Sequence, residues 1–160
     1  MSFLAKAAKP KSKPPMITIV GTPGAGKTTL GAMFPNALLV MSEDGASVFE
    51  SWDDDAKPSV LPRLPKASKD EVGNIRSTRE TLLSIMDELI STDHGFTTLV
   101  VDSITSLDML FGHEIALRDN VNTVADASGG FHKGYAEVAS WHAEFVYKCE
   151  QLRAVKRMGI

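Results

Sequence analysis

Residues 21–28 read "GTPGAGKT" and follow directly on the apolar run "MITIV" of residues 16–20. A short, continuous apolar run with β-branched residues is typical of a buried strand in a parallel sheet. Three glycines and a proline then interrupt regular structure, and residues 27–34 have the pattern of a short helix that ends before Pro35. The stretch therefore predicts a strand, a tight turn and a helix in succession, which is the repeating unit of α/β sheets.

The rest of the chain continues this alternation, interrupted by a proline-bearing irregular stretch. Apolar spacing predicts further strands at 37–41 and 96–101, helices at 78–90, 104–117 and 135–158, and a polar loop at 119–134. Strands that alternate with helices favour a parallel arrangement with helices on both faces. We predict a three-layer α/β fold with a mostly parallel sheet.

The composition excludes several classes of protein. With 160 residues, 43% hydrophobic, the chain can bury one core, and its net charge of −3 provides no global basic field. Cys149 is the single cysteine, which excludes an internal disulfide. Because no apolar run reaches membrane-spanning length, we predict a cytoplasmic protein with no membrane partner. Residues 1–15 carry four lysines and three prolines and predict a flexible basic arm before one domain at 16–160.

The glycine-rich stretch has the pattern Gly-x-x-x-x-Gly-Lys-Thr of a phosphate-binding P-loop. Glycine allows successive backbone N–H groups to turn inward around an anion, and the following helix adds its positive end. Lys27 supplies a mobile charge for the β- and γ-phosphates, and the Thr28 hydroxyl is a ligand for Mg²⁺. The predicted nucleotide-binding residues are Gly21, Thr22, Pro23, Gly24, Ala25, Gly26, Lys27, Thr28 and Thr29.

Acidic residues follow the other two predicted strands. "TTLVVD" ends in Asp102, the Walker-B arrangement in which a carboxylate holds the metal, directly or through water. Ser103 has two open roles, at the metal or as the cap of the next helix. Glu43, in "VMSEDG", lies where hydrolysis needs a base to orient and deprotonate water, and the neighbouring Asp44 is an alternative base.

Three segments resemble, in order and spacing, the nucleotide core of RecA-like ATPases: "GTPGAGKTT", "LLVMSEDGAS" and "LVVDSITSL". They are similar above all to small phage-encoded RecA-like and AAA-type P-loop ATP-binding proteins linked to single-strand annealing and recombination, and the resemblance covers residues 16–107. It implies ATP and Mg²⁺ as ligands, Glu43 and Lys27 as catalytic residues, and Thr28 and Asp102 at the metal. It also implies an ATPase in phage DNA recombination that binds single-stranded DNA and forms a homo-oligomer in its complete form.

The chain departs from this family in one respect. A RecA-like core has a fourth strand between the P-loop strand and the Walker-B strand, and residues up to Ile160 supply only the helix that should precede it. We expect a core truncated before that strand, although a partner could supply it or the two strands could be adjacent, as in kinases and GTPases. A sheet with a central gap would limit catalysis by this chain alone.

Three functions are compatible with these patterns. The first is ATP hydrolysis coupled to single-stranded DNA, with DNA contacts from the basic arm and from an aromatic and basic loop around Phe131, His132, Lys133 and Tyr135. The second is a nucleotide or small-molecule kinase, disfavoured because the loop at 119–134 lacks arginines. The third is a nucleotide-gated assembly module without enzymatic activity. No arginine finger can be assigned, and Arg153 and Arg157 are candidates by charge alone.

Overall fold

The computed structural model describes Lys9 and residues 12–160. Its elements, in chain order, are α1 (Lys27–Ala32), β1 (Ala37–Met41), a 3₁₀ turn (Ala46–Phe49), β2 (Ser59–Val60), β3 (Ser68–Lys69), β4 (Ile75–Arg76), α2 (Thr78–Ser91), β5 (Thr98–Asp102), α3 (Ile104–Asp119) and α4 (Lys133–Val155). The helices and the two long strands lie where the sequence predicts them, with ends displaced by a few residues. The three two-residue strands are not predicted.

The main sheet contains three parallel strands in the order β2-β1-β5, and β3 and β4 form a separate antiparallel hairpin. Along the central pair, Ala37 lies opposite Thr98 and Met41 opposite Asp102. Both strands therefore end at the same edge, and the residues that follow them are brought together there.

Both faces of the sheet are covered. Successive β1 side chains point to opposite faces: Leu38 and Val40 join the large core formed with α2, α3 and α4. Leu39 and Met41 join a smaller core with Ala32 of α1 and Phe49. This arrangement confirms the predicted three-layer α/β fold with a mostly parallel sheet.

The helices of the large core are joined by aromatic and ionic contacts. The Phe111 ring meets the Trp141 ring edge-on, with centroids 5.4 Å apart. The Arg79 guanidinium lies 5.2 Å from the Trp141 ring centroid and donates through Nε to Glu144 Oε2 at 3.1 Å. Cys149 is buried on α4, and burial raises the pKa of its thiol to about 12, so it packs as a small core residue.

The prediction of a buried strand at 16–20 is wrong. These residues have no regular structure, and Val20 and Ile17 are 90% and 48% exposed. Apolar composition alone does not form a strand, because its backbone groups need a neighbouring strand as partner. A groove of about 940 Å³ separates this segment from β5.

The last two residues occupy the start of this groove. Gly159 N donates to Thr97 O at 2.9 Å and Gly159 O accepts from Leu99 N at 2.9 Å, so Gly159 extends the sheet beside β5. On the other side, Ile160 O accepts from Ile17 N at 2.8 Å. The segment at 16–20 is therefore not adjacent to β5, and the order typical of kinases and GTPases is not observed.

The described part of the predicted basic arm is attached to the end of α4. Arg153 Nε donates to Pro14 O at 2.8 Å, and Arg157 Nη1 donates to Ser12 O at 2.5 Å. Residues 1–8, 10 and 11 of the predicted arm lie outside the described residues. Both arginines therefore contact backbone carbonyls near the amino end of β5, at the opposite edge of the sheet from Asp102.

A left-handed turn precedes α4. Five consecutive residues, 128–132, have positive φ angles, from 53° at Phe131 to 87° at Gly129, and Phe131 is 91% exposed. Ser128 N donates to Asp119 Oδ2 and Ser128 Oγ to Glu137 Oε2, both at 2.6 Å. Hydrogen bonds from Arg118 hold the pKa values of both carboxyl groups below their usual range.

Among the residues described, no helix combines the length and apolar character needed to cross a bilayer.

Candidate functional site

The glycine-rich loop lies at the carboxyl edge of the sheet and runs directly into α1. Gly24 and Gly26 have φ angles of 79° and 83°, in the left-handed region that favours glycine. Gly21 is not in this region, and a Cβ there would meet Ala25 Cβ at 3.4 Å, an ordinary contact. The conformational argument for glycine therefore applies to two of the three positions.

Lys27 is folded back on its own loop. Its Nζ donates to Gly21 O at 2.9 Å and to Thr22 O at 3.0 Å. Because these acceptors belong to the loop itself, the ammonium group lies directly over the loop backbone. Since α1 has only six residues, the groups suited to attract an anion here are the loop amides and this charge rather than the end of a long helix.

Thr28 and Asp102 connect the loop to the strand edge. The Thr28 hydroxyl donates to Asp102 Oδ2, and the Asp102 side chain is buried. A hydroxyl and a carboxylate are the oxygen ligands that Mg²⁺ takes in nucleotide sites, together with water and phosphate oxygens. The two residues predicted for the metal therefore lie together, and their donor atoms fit Mg²⁺.

The ends of β1 and β5 are joined by a serine. Ser42 Oγ donates to Ser103 O and accepts from Ser103 N, both at 2.8 Å, and Ser42 N donates to Asp102 O at 2.8 Å. Ser103 also caps α3, because its side chain accepts from Ser106 N at 3.2 Å. Of its two open roles, the structure places Ser103 in the capping role.

Glu43 is the residue after Ser42, and its side chain is hydrogen-bonded to α3. Its Oε2 accepts a hydrogen bond from Ser106 Oγ at 2.8 Å. The turn after Glu43 lies against the metal-site pair, because a Cβ on Gly45 would be 3.9 Å from Asp102 Oδ2 and 4.0 Å from Thr28 Cγ2. Asp44 is exposed.

Sequence reasoning did not identify Ser42 or Ser106 as site residues. The signal for Ser42 is its position between a buried strand and an acidic pair, one residue before the proposed base. Ser106 has no comparable signal, because a lone serine within a predicted helix does not indicate a ligand or a catalytic group. Its contact with Glu43 depends on the register of β1 against β5.

The glycine-rich loop lies at the edge of a parallel sheet, and its Thr28 donates a hydrogen bond to Asp102, the carboxylate that ends β5. This combination defines a P-loop nucleoside-triphosphate-binding protein. The family model described as an AAA domain matches residues 13–155, and the chain belongs to this family. Membership supports ATP binding by an AAA-type P-loop ATPase. No curated protein and no solved structure is significantly similar to the chain.

Proposed function

We propose that this protein binds ATP with Mg²⁺ at the loop of residues 21–29 and hydrolyses it to ADP and phosphate. The observation that carries the proposal is the contact between Thr28 and Asp102, which joins the phosphate loop to the end of β5. Family membership gives independent support for ATP as the nucleotide. Glu43 is the proposed base, on the same edge of the sheet.

Each residue has a distinct role in this mechanism. The loop amides of residues 21–26 and the Lys27 ammonium bind the β- and γ-phosphates after Lys27 leaves its own loop carbonyls. Thr28 and Asp102 would hold Mg²⁺, which supplies neutralising charge at the phosphates when bound. Glu43 orients a water molecule and accepts its proton as the water oxygen bonds to the γ-phosphorus and the bond to the ADP oxygen breaks.

Two substitutions test this assignment separately. Lys27→Ala should abolish binding of Mg²⁺-ATP in calorimetry, whereas Lys66→Ala, which removes an exposed lysine elsewhere, should not. Glu43→Gln should leave binding unchanged and lower the hydrolysis rate by roughly 100-fold, a typical contribution of a general base. Tight binding of ATP by the Lys27 variant would contradict the site. A loss of hydrolysis in Asp44→Asn, without one in Glu43→Gln, would make Asp44 the base.

A role in DNA recombination is a further part of the proposal. It is supported by the resemblance to phage recombination ATPases and by the exposed Phe131, which lies beside Lys133 and near the stacked rings of His132 and Tyr135. Exposed aromatic rings next to a cation suit the stacking and charge contacts of single-stranded DNA. Two acidic residues, Asp126 and Glu137, flank this loop in the sequence and oppose the binding of phosphate. The negative charge of Glu137 is paired with Arg118.

Turnover measured with and without single-stranded DNA separates the candidate functions. Stimulation by DNA that is lost in Phe131→Ala would support the recombination role, and unchanged turnover would contradict it. Transfer of phosphate to an added acceptor would instead support a kinase, and binding without turnover a nucleotide-gated module. Homo-oligomer formation in the complete protein remains part of the proposal, and light scattering with and without ATP tests it.

A further inference from the structure

We infer that Ser106 is a positioning residue for Glu43. This inference rests on the proposed role of Glu43 as the base. The Ser106 hydroxyl lies 2.8 Å from Glu43 Oε2. An ionised carboxylate can only accept, so the hydroxyl donates its hydrogen to this oxygen. The bond engages one carboxylate oxygen and leaves Oε1 for water.

The Ser106 hydroxyl is oriented by Ser103, the residue that caps α3. Ser103 Oγ lies 3.3 Å from Ser106 Oγ and donates to it, while Ser106 N donates to Ser103 Oγ at 3.2 Å. Since Ser106 receives a hydrogen from Ser103, its own hydrogen is available to Glu43. The three groups form a directed chain from Ser103 through Ser106 to Glu43, and such chains strengthen each bond.

Burial makes this contact specific. Ser106 is 8% exposed, whereas Glu43 is an exposed residue on a turn. An exposed glutamate would otherwise sample many rotamers, and a hydrogen bond from a buried, capped position restricts it to a few. The contact also favours Glu43 over Asp44 as the base, because α3 holds the Glu43 carboxylate at the edge of the sheet where β1 and β5 end.

Steady-state hydrolysis provides the first test. Ser106→Ala should lower kcat about tenfold, as expected when a catalytic group loses its alignment, with KM for ATP unchanged. Ser106→Thr retains the hydroxyl and should recover most of the rate, and Ser140→Ala, at an exposed serine of α4, should have no effect. Addition of Ser106→Ala to Glu43→Gln should cause no further loss, because the hydroxyl acts through Glu43.

A second measurement does not depend on turnover. In protein labelled with ¹³C at glutamate, side-chain relaxation should report a more mobile Glu43 in Ser106→Ala than in the Ser140→Ala control. Unchanged mobility, a faster reaction in Ser106→Ala, or an additive loss in the double variant would each overturn the inference. If Glu43→Gln hydrolyses ATP at the normal rate, the base assignment itself fails. A slow Glu43→Gln with a normal Ser106→Ala would overturn the positioning role alone.

Discussion

At the scale of the residue, the three glycines of the phosphate loop are not equivalent. Gly24 and Gly26 have left-handed backbone conformations, whereas Gly21 does not, and its side of the backbone has room for a methyl group. A residue with a Cβ in the left-handed region costs roughly 1–2 kcal/mol. The strain introduced by a substitution therefore depends on which glycine is replaced.

We expect Gly26→Ala to weaken binding of Mg²⁺-ATP by about tenfold, because the free loop of the variant relaxes out of the left-handed conformation. Restoring that conformation on binding costs about 1.4 kcal/mol, which corresponds to this factor. Gly21→Ala is the matched control and should cause a clearly smaller loss, since it adds the same methyl group without this strain. Isothermal calorimetry on both variants measures the difference. Equal losses would mean that close approach of the phosphate, rather than backbone conformation, determines the need for glycine.

Part of the candidate site was predictable at this scale. The spacing of the P-loop and the carboxylate at the end of a buried strand correctly indicated that Thr28 and Asp102 lie together, because parallel strands end at one edge. The contact of Ser106 with Glu43 was not predictable. It joins a residue of α3 to one in the loop after β1, and its geometry depends on the register of β1 against β5 and on how α3 leaves β5.

At the scale of the element, α2 begins on a buried carboxylate of α3. Glu114 Oε2 accepts from Thr78 N at 2.8 Å and from Arg79 N at 3.0 Å, and Ser77 Oγ donates to Oε1 of the same group. The first N–H groups of a helix have no partner within it. The carboxylate of Glu114, which is 6% exposed, supplies these N–H groups with an acceptor from the neighbouring helix α3.

We expect Glu114→Ala to lower the free energy of unfolding by roughly 3 kcal/mol, because it leaves several buried donors without an acceptor. Glu88→Ala, at an exposed position of α2, should change it by less than about 0.5 kcal/mol. Urea denaturation followed by circular dichroism measures both values. A loss below about 1 kcal/mol for Glu114→Ala would indicate that water replaces the carboxylate.

Elements with a strong local pattern were predicted correctly, and those that depend on distant partners were not. The apolar spacing of α2 and α3 is sufficient to locate them. The run at 16–20 has the apolar composition of a buried strand. The neighbouring strand that it needs as a hydrogen-bond partner would have to lie in the groove beside β5. The two-residue strands β2, β3 and β4 carry too few residues for a pattern.

At the scale of the whole molecule, the groove beside β5 has the geometry for one more parallel strand. Gly159 begins this strand by bonding to Thr97 and Leu99, and Ile160 bonds to Ile17 on the other side. Hydrogen bonds in a parallel ladder alternate along each strand. Continuation of the pattern would therefore use Leu99 O and Val101 N on one side and Ile17 O and Ile19 N on the other.

We expect a strand-forming extension after Ile160, such as Val-Ile-Val-Thr-Val, to raise Tm by several degrees. Its backbone would pair with both flanks of the groove, and about five residues span roughly 17 Å of sheet. An extension of equal length with alternating proline and glycine is the control, because proline cannot donate to a ladder. Hydrogen exchange should also slow at Ile19 and Val101. Equal stability of the two extended proteins would contradict the pairing.

The bonds of Ile17 and Pro15 to Ile160 have a consequence for biosynthesis. The segment that leads into the phosphate loop leaves the ribosome early, but its partner is translated only at residue 160. At roughly 5–20 residues per second, the interval lasts on the order of ten seconds. During this time the nascent chain lacks the contact that anchors the start of its loop, so ATP should bind only after translation has passed this point.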